Sequence, residues 1–128
     1  MRLLLDTHAL LWWLEGNSAL SRSARSAMSD DTNETFVSAV TAWEIAVKIR
    51  LGRLPFAMLL ADDMAGTIEG QGFREMPVTV LHGQRAGGLP EIHKDPFDRM
   101  LVAQALAEDC ALVSNERLFD RYGVERLW

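Results

Sequence analysis

Short apolar runs alternate along the chain with segments whose apolar positions recur every three or four residues. The first run, Leu3-Leu4-Leu5, follows Arg2 and stops at Asp6. It has the length and continuous hydrophobicity of a strand buried on both faces. Similar strands are predicted at Glu34–Val37, Phe73–Met76, Ala111–Val113 and Val124–Leu127. Between them the period becomes helical. Helices are predicted over His8–Glu15, stopped by Gly16, and over Ser21–Asp30, with Leu20, Ala24, Ala27 and Met28 on one side. Others are predicted over Thr41–Leu51, ended by Gly52, and over Phe56–Glu69, carrying Leu59, Leu60, Met64 and Ile68. Val78–Arg85 also reads as helix, and Gly87-Gly88-Leu89-Pro90 reads as loop. Asp95-Pro96 opens a long helix to about Glu108, with Asp as N-cap and Pro at the first helical position. A short helix is predicted over Asn115–Arg121, closed by Tyr122-Gly123.

Strands alternating with helices predict an α/β fold: a three-layer sandwich whose mostly parallel sheet of about four to five strands is flanked by helices. Ligands of such sheets bind beyond the carboxyl ends of the strands. Asp6 directly follows the first strand, Glu44 lies in the first helical turn after the second, and Glu116 is three residues past Val113. The helix that begins at Asp95 runs back against strand 111–113, which carries Asp98 to the same edge. All four carboxylates are therefore expected at one place. Clustered carboxylates suit a hard divalent cation such as Mg²⁺ or Mn²⁺, which prefers oxygen ligands.

Each acid also has a plainer explanation. Asp6 fits an N-cap. Thr41 to Glu44 fits a capping box, and Glu44 to Lys48 an i,i+4 ion pair. Asp98 suits the positive end of its helix. Glu116 fits a solvated first-turn acid after a Ser114 cap. None of these explanations requires the four to share an edge. His8 is placed to orient a carboxylate or simply to pack, and His93 reads as a loop residue within reach of a phosphate. Trp12 and Trp13 are about 100° apart on one helix, so one is expected in the core and the other in part exposed.

Composition narrows the classes. The 128 residues allow one domain with its own core, spanning the whole of 1–128. With 48% hydrophobic and 24% charged residues the chain reads as an ordinary soluble globule. No apolar run approaches the roughly 20 residues of a membrane helix. The single cysteine, Cys110, excludes an intrachain disulfide and makes the cytoplasm the expected location. A net charge of −5 argues against a general polyanion binder, although basic residues cluster at Lys48, Arg50 and Arg53 and again at Lys94 and Arg99. His-x-x-x-His, Cys-x-x-Cys, glycine-rich phosphate loops and Gly-x-Ser-x-Gly are all absent.

Four segments together resemble the PIN domain, a nuclease family, and more closely the toxins of VapBC-type toxin–antitoxin pairs. They are Leu4-Leu5-Asp6-Thr7-His8-Ala9-Leu10-Leu11-Trp12, the run from Val37 to Lys48, the run from His93 to Ala105 containing Asp95-Pro96-Phe97-Asp98-Arg99, and Leu112-Val113-Ser114-Asn115-Glu116. The resemblance implies a Mg²⁺- or Mn²⁺-dependent endoribonuclease in which Asp6, Glu44 and Asp98 form the metal site. The family's fourth acid is commonly Asp in Thr-x-Asp; here it is Glu116 in Ser114-Asn115-Glu116, one methylene longer. Thr7 and Ser114 would hydrogen-bond carboxylates or metal-bound water, and Lys48, His93, Lys94 and Arg99 are candidates for substrate phosphates. Hydrolysis would leave a 5′-phosphate and a 3′-hydroxyl. The resemblance further implies a homodimer, a cognate antitoxin, and a heterotetramer or larger assembly with it.

Two alternatives belong to other classes. A haloacid-dehalogenase-like phosphotransferase would use Asp6 as nucleophile, but such enzymes carry Asp-x-Asp where this chain has Asp6-Thr7-His8. A non-catalytic binding module would use its acids only as caps.

Overall fold

The computed structural model describes the backbone of residues 1–128 and every side chain except those of Phe56, Met58 and Leu59. Its elements run β1 (Arg2–Leu5), α1 (Thr7–Glu15), α2 (Arg22–Ser29), β2 (Glu34–Ser38), α3 (Ala39–Arg50), a 3-10 turn (Pro55–Ala57), α4 (Met58–Asp62) and α5 (Met64–Gly70). They continue through β3 (Arg74–Met76), α6 (Val80–Gly88), α7 (Pro96–Ala107), β4 (Ala111–Val113), a 3-10 helix (Arg117–Tyr122) and β5 (Arg126–Leu127). The five strands form one sheet in the order β3-β2-β1-β4-β5, and every pairing is parallel.

The central strand shows why the layers form. Leu3, Leu4 and Leu5 are each fully buried, and alternation of side chains sends them to opposite faces. Leu3 and Leu5 join Leu10, Ala24, Ile45, Ile68 and Val113 in one core. Leu4 joins Phe36, Leu101, Val102, Leu112 and Phe119 in the other. A leucine run buried on both sides therefore lies between two helical layers, and the expected α/β sandwich is the observed one. Among the described residues no helix is long and apolar enough to cross a membrane.

Four local expectations are corrected. The predicted helix Phe56–Glu69 is broken: Asp63, at φ −155° and ψ 78°, ends α4 and N-caps α5 by accepting from the Gly66 N–H at 2.9 Å. Of its apolar positions Leu60 and Ile68 are buried, Met64 packs on the first core, and Leu59 lies outside the described side chains. α3 starts two residues before Thr41, because Ser38 is the N-cap and accepts from the Val40 N–H at 3.0 Å. The proposed Thr41–Glu44 capping box is thus not formed, and Glu44 lies in the second turn. Gly87 and Gly88 continue α6 instead of forming a loop. Arg99 supports that end, donating to the carbonyls of Ala86 and Leu89, each at 2.8 Å, which are among the acceptors a helix end leaves unpaired. The segment after β4 is a 3-10 helix N-capped by Glu116 and ended by Gly123 in the left-handed region at φ 76°.

Candidate active site

All five strands point their carboxyl ends the same way, so the segments leaving β1, β2 and β4 meet at one sheet edge. There Asp6, Glu44, Asp98 and Glu116 line a single cleft of about 190 Å³. Asp95, Thr7, His8, Lys48 and Asn115 complete its polar wall. The four acids come from four separate segments of the chain, and the fold brings them together.

Asp6 both caps and lines the cleft. Its backbone N–H donates to the Val113 carbonyl across β1 and β4 at 3.1 Å, and its Oδ1 accepts from the Ala9 N–H at 2.8 Å. The residue is 7% exposed. Burial raises its pKa, against the opposing pull of the Ser114 hydroxyl, the Ala9 N–H and the charge of His8. Being a helix cap and lining a site are compatible here.

Glu44 is buried in the cleft wall and held at both oxygens. The Thr7 hydroxyl donates to Oε1 at 2.5 Å, and Lys48 Nζ lies 2.7 Å from Oε2. The expected i,i+4 pair is present, and it carries the Lys48 ammonium into the cleft.

Asp98 is perturbed in the same direction as Asp6. Its carboxyl is pushed up to about 7, first by burial and then by the charges of Asp95, Glu44, Asp6 and Glu116. Asp95 is the helix cap, accepting from the N–H groups of Phe97 and Asp98. His93 Nε2 lies 3.1 Å from Asp98 Oδ2. His93 Nδ1 accepts from the Asp95 N–H at 3.2 Å, which assigns the ring proton to Nε2 and makes that nitrogen the donor to Asp98. The ring stacks on Phe119 at 5.7 Å, and the His93 N–H donates to the Tyr122 hydroxyl at 2.8 Å. His93 is therefore fixed against the carboxylate and is not a solvated loop residue. A sequence signal existed in the two-residue spacing from His93 to the capping Asp95, but the support of its ring by Phe119 and of its backbone N–H by Tyr122 is purely tertiary.

Glu116 reaches the cleft less directly. Its Oε1 accepts from the Leu118 N–H at 3.0 Å, and its own N–H donates to the Ser114 hydroxyl oxygen at 3.0 Å. It is exposed and serves as a helix cap. Three candidate phosphate contacts fall outside the cleft lining: His93 (held against Asp98), Lys94 and Arg99. Lys94 is exposed, and Arg99 is committed to carbonyls of Ala86, Leu89, Pro90 and His93. Asn115, in the cleft wall, was missed; one amide between two motif residues gave no distinctive signal.

Among the described residues no three His, Cys, Asp or Glu side chains are posed as a ready metal cage. Each acid is instead engaged by a protein donor. The donor chemistry nonetheless fits a hard divalent cation, since the cleft offers carboxylate oxygens and hydroxyls without a sulfur ligand. The Asp98 carboxyl is raised first by burial and then by repulsion from its neighbouring carboxylates, and a cation would relieve the second.

Comparison with known proteins agrees with the fold. The PIN domain family model matches residues 3–125. No curated relative matches the sequence. A chain of DNA-bound VapBC from Salmonella typhimurium superposes with a TM-score of 0.67 at 16% identity, covering 98% of this chain and 96% of that one. A chain of a toxin–antitoxin complex from Klebsiella pneumoniae gives 0.64 at 19% identity, covering 91% and 88%. A chain of VapBC2 from Rickettsia felis, bound to a promoter DNA fragment, gives 0.63 at 14% identity over 100% of both chains.

Proposed function

Since the chain belongs to the PIN domain family, we propose that its acidic cleft is the active site of a divalent-metal-dependent endoribonuclease and that the protein is the toxin of a toxin–antitoxin pair. One observation carries the catalytic reading: carboxylates from four segments line one cleft, and their charges help push Asp98 up to about 7. Helix capping accounts for Asp6 and Glu116, but not for Glu44 or Asp98 and not for a shared, mutually repelling cluster. Asp6, Glu44 and Asp98 would hold Mg²⁺ or Mn²⁺, with Glu116 as a more remote contributor. When bound, the ion supplies charge neutralisation at the scissile phosphate and an acidified water.

The chain's own groups do the rest. Ala9 N–H and Thr7 Oγ1 hold Asp6 and Glu44 in orientation before substrate arrives. His93 Nε2 does the same for Asp98. Glu44 orients the attacking water or accepts its proton. The Lys48 ammonium, now on Glu44, is placed to pair with a phosphate oxygen. In-line attack at phosphorus then breaks the bond to the 3′-oxygen, leaving a 5′-phosphate and a 3′-hydroxyl. His8 occupies the position where a phosphotransferase of the alternative class needs its second Asp, which disfavours a covalent route through Asp6.

The toxin reading draws on the VapBC neighbours, whose chains are found in complexes with antitoxins or DNA. The structure offers an apolar recess of about 440 Å³ lined by Val37, Ala42, Met64, Ile68, Met76 and Pro77. Apolar anchors of an antitoxin tail would fill such a recess, while a basic side chain paired with cleft carboxylates. Met64, on the recess, belongs to the stretch Met58–Met64, of which the side chains of Met58 and Leu59 lie outside those described. A homodimer carrying antitoxin on each subunit is the proposed assembly.

The test is cleavage of single-stranded RNA by the purified chain in Mg²⁺ or Mn²⁺, with Asp98→Asn alongside. Asp98→Asn is expected to stay folded and lose cleavage. Full activity of that variant at saturating Mg²⁺ would overturn the assignment.

A further inference from the structure

The cleft meets a row of aromatic rings that the proposed chemistry does not use. His8 lines the cleft and is exposed. Its ring lies 5.4 Å from that of Trp12, one turn along α1, tilted by 32°. Trp12 in turn lies 5.8 Å from Trp128 at 58°. The topology explains the alignment. α1 leaves the carboxyl end of β1, and Trp128 directly follows β5, two strands away in a wholly parallel sheet. The three rings thus make successive contacts from His8 in the cleft lining, through Trp12 on α1, to Trp128 at the end of β5. Trp12 and Trp128 are half-buried and packed on the first core, which fixes the row from beneath.

The neighbouring Trp13 shows what a purely structural ring looks like here. Its Nε1 donates to Gln71 at 3.0 Å, its face meets Phe73, and the Arg25 guanidinium lies 5.9 Å from its centroid. His8 has the opposite character: it is an exposed ring at a cleft mouth. Phe119 also touches the cleft but is 1% exposed, so its faces are taken.

Charge sharpens the case. A ribonuclease must hold a polyanion, yet this chain carries −5, and Lys48 is the one Lys or Arg among the residues lining the cleft. Phosphate contacts supply most of the affinity of ordinary nucleic-acid binders. Here the cleft's own Lys and Arg side chains supply little of that term beyond Lys48, and stacking of unpaired bases on aromatic faces is a source of affinity that does not depend on them.

We propose that His8, backed by Trp12 and Trp128, is a stacking subsite for an unpaired base beside the scissile phosphate, so that the substrate is single-stranded where it leaves the cleft. This rests on the ribonuclease reading of the cleft, but it concerns binding and is testable apart from cleavage.

The experiment measures binding of a labelled single-stranded RNA by fluorescence anisotropy, in an Asp98→Asn background with Mg²⁺ so that the RNA stays intact. His8, His8→Phe and His8→Leu are compared. Leucine keeps apolar bulk without a π face, and Kd should weaken about 5-fold or more, the lower end of base–aromatic stacking. Phenylalanine should restore Kd to within about 2-fold of the parent, because stacking needs a ring and not an imidazole. The leucine defect should vanish on an RNA with an abasic nucleotide at the stacked position. Equal affinities for all three proteins, equal losses in both variants, or no RNA binding at all would overturn the proposal. Cleavage by the chain with Asp98 intact is assayed in parallel. Cleavage with no ring dependence removes the subsite and leaves the nuclease. A ring dependence without cleavage keeps the subsite and removes the nuclease.

Discussion

Asp98 keeps a proton to about pH 7 because burial and four neighbouring carboxylates oppose its charge. An aspartate in the unfolded chain ionises near its ordinary value of 3.8. Between those limits the folded protein binds more protons than the unfolded one, so stability falls as pH rises through the window and is lowest above it. Asp6, raised in the same direction by burial, adds to the trend. Metal-free protein should therefore melt at a higher temperature near pH 5 than near pH 7.5, and Asp98→Asn should flatten that slope. A melting temperature rising over this range in both proteins would contradict the cluster. His93 matters at the same scale. It was visible in the sequence as a histidine near an acidic helix start, but its contact with Asp98 depends on Phe119 and Tyr122, more than twenty residues away.

At the scale of elements, the start of α3 decides where Glu44 points. Both Ser38 and Thr41 are good N-cap residues, and local sequence does not choose between them. Packing chooses Ser38, because β2 runs straight into the helix and buries Thr41 completely. Among the described residues the Thr41 hydroxyl has no hydrogen-bond partner. Ser38→Ala should cost about 0.5–2 kcal/mol as a lost cap. Thr41→Val should be neutral or stabilising, since it removes an unpaired buried hydroxyl. Urea denaturation of the two variants checks the order, and a greater loss at Thr41 would restore the capping box. Asp63 shows the same limit of local reading. Periodicity continued through it, whereas its carboxylate caps Gly66 and starts a new helix.

For the whole molecule, a ligand that binds only the native state raises stability by RT ln(1 + [L]/Kd), about 2.7 kcal/mol at 100 times Kd. Millimolar Mn²⁺ should raise the melting temperature of the chain, and much less that of Asp6→Asn. Equal shifts would place the ion away from the cleft. Glu116→Gln should reduce the shift less than Asp6→Asn does, because Glu116 is exposed and occupied as a cap. Coexpression with the product of an adjacent small reading frame should yield a stable complex without ribonuclease activity. An active complex would remove the toxin reading and leave the nuclease.

The sequence by itself determined the layered α/β architecture, since a strand of three buried leucines and helices with one apolar face have few other ways to exclude water. It also determined that Asp6, Glu44, Asp98 and Glu116 would meet, because parallel strands deliver the segments that follow them to one edge. Caps such as Asp95 were equally legible, being local hydrogen bonds between residues two or three apart. Only the tertiary structure decided what each side chain does at that edge. Arg99 looked like a phosphate ligand until α6 presented its carbonyls, and Trp128 joined the local His8–Trp12 pair only when β5 added to the edge of the sheet. Such contacts join residues distant in sequence, and their geometry depends on how separate elements pack, which no local pattern encodes.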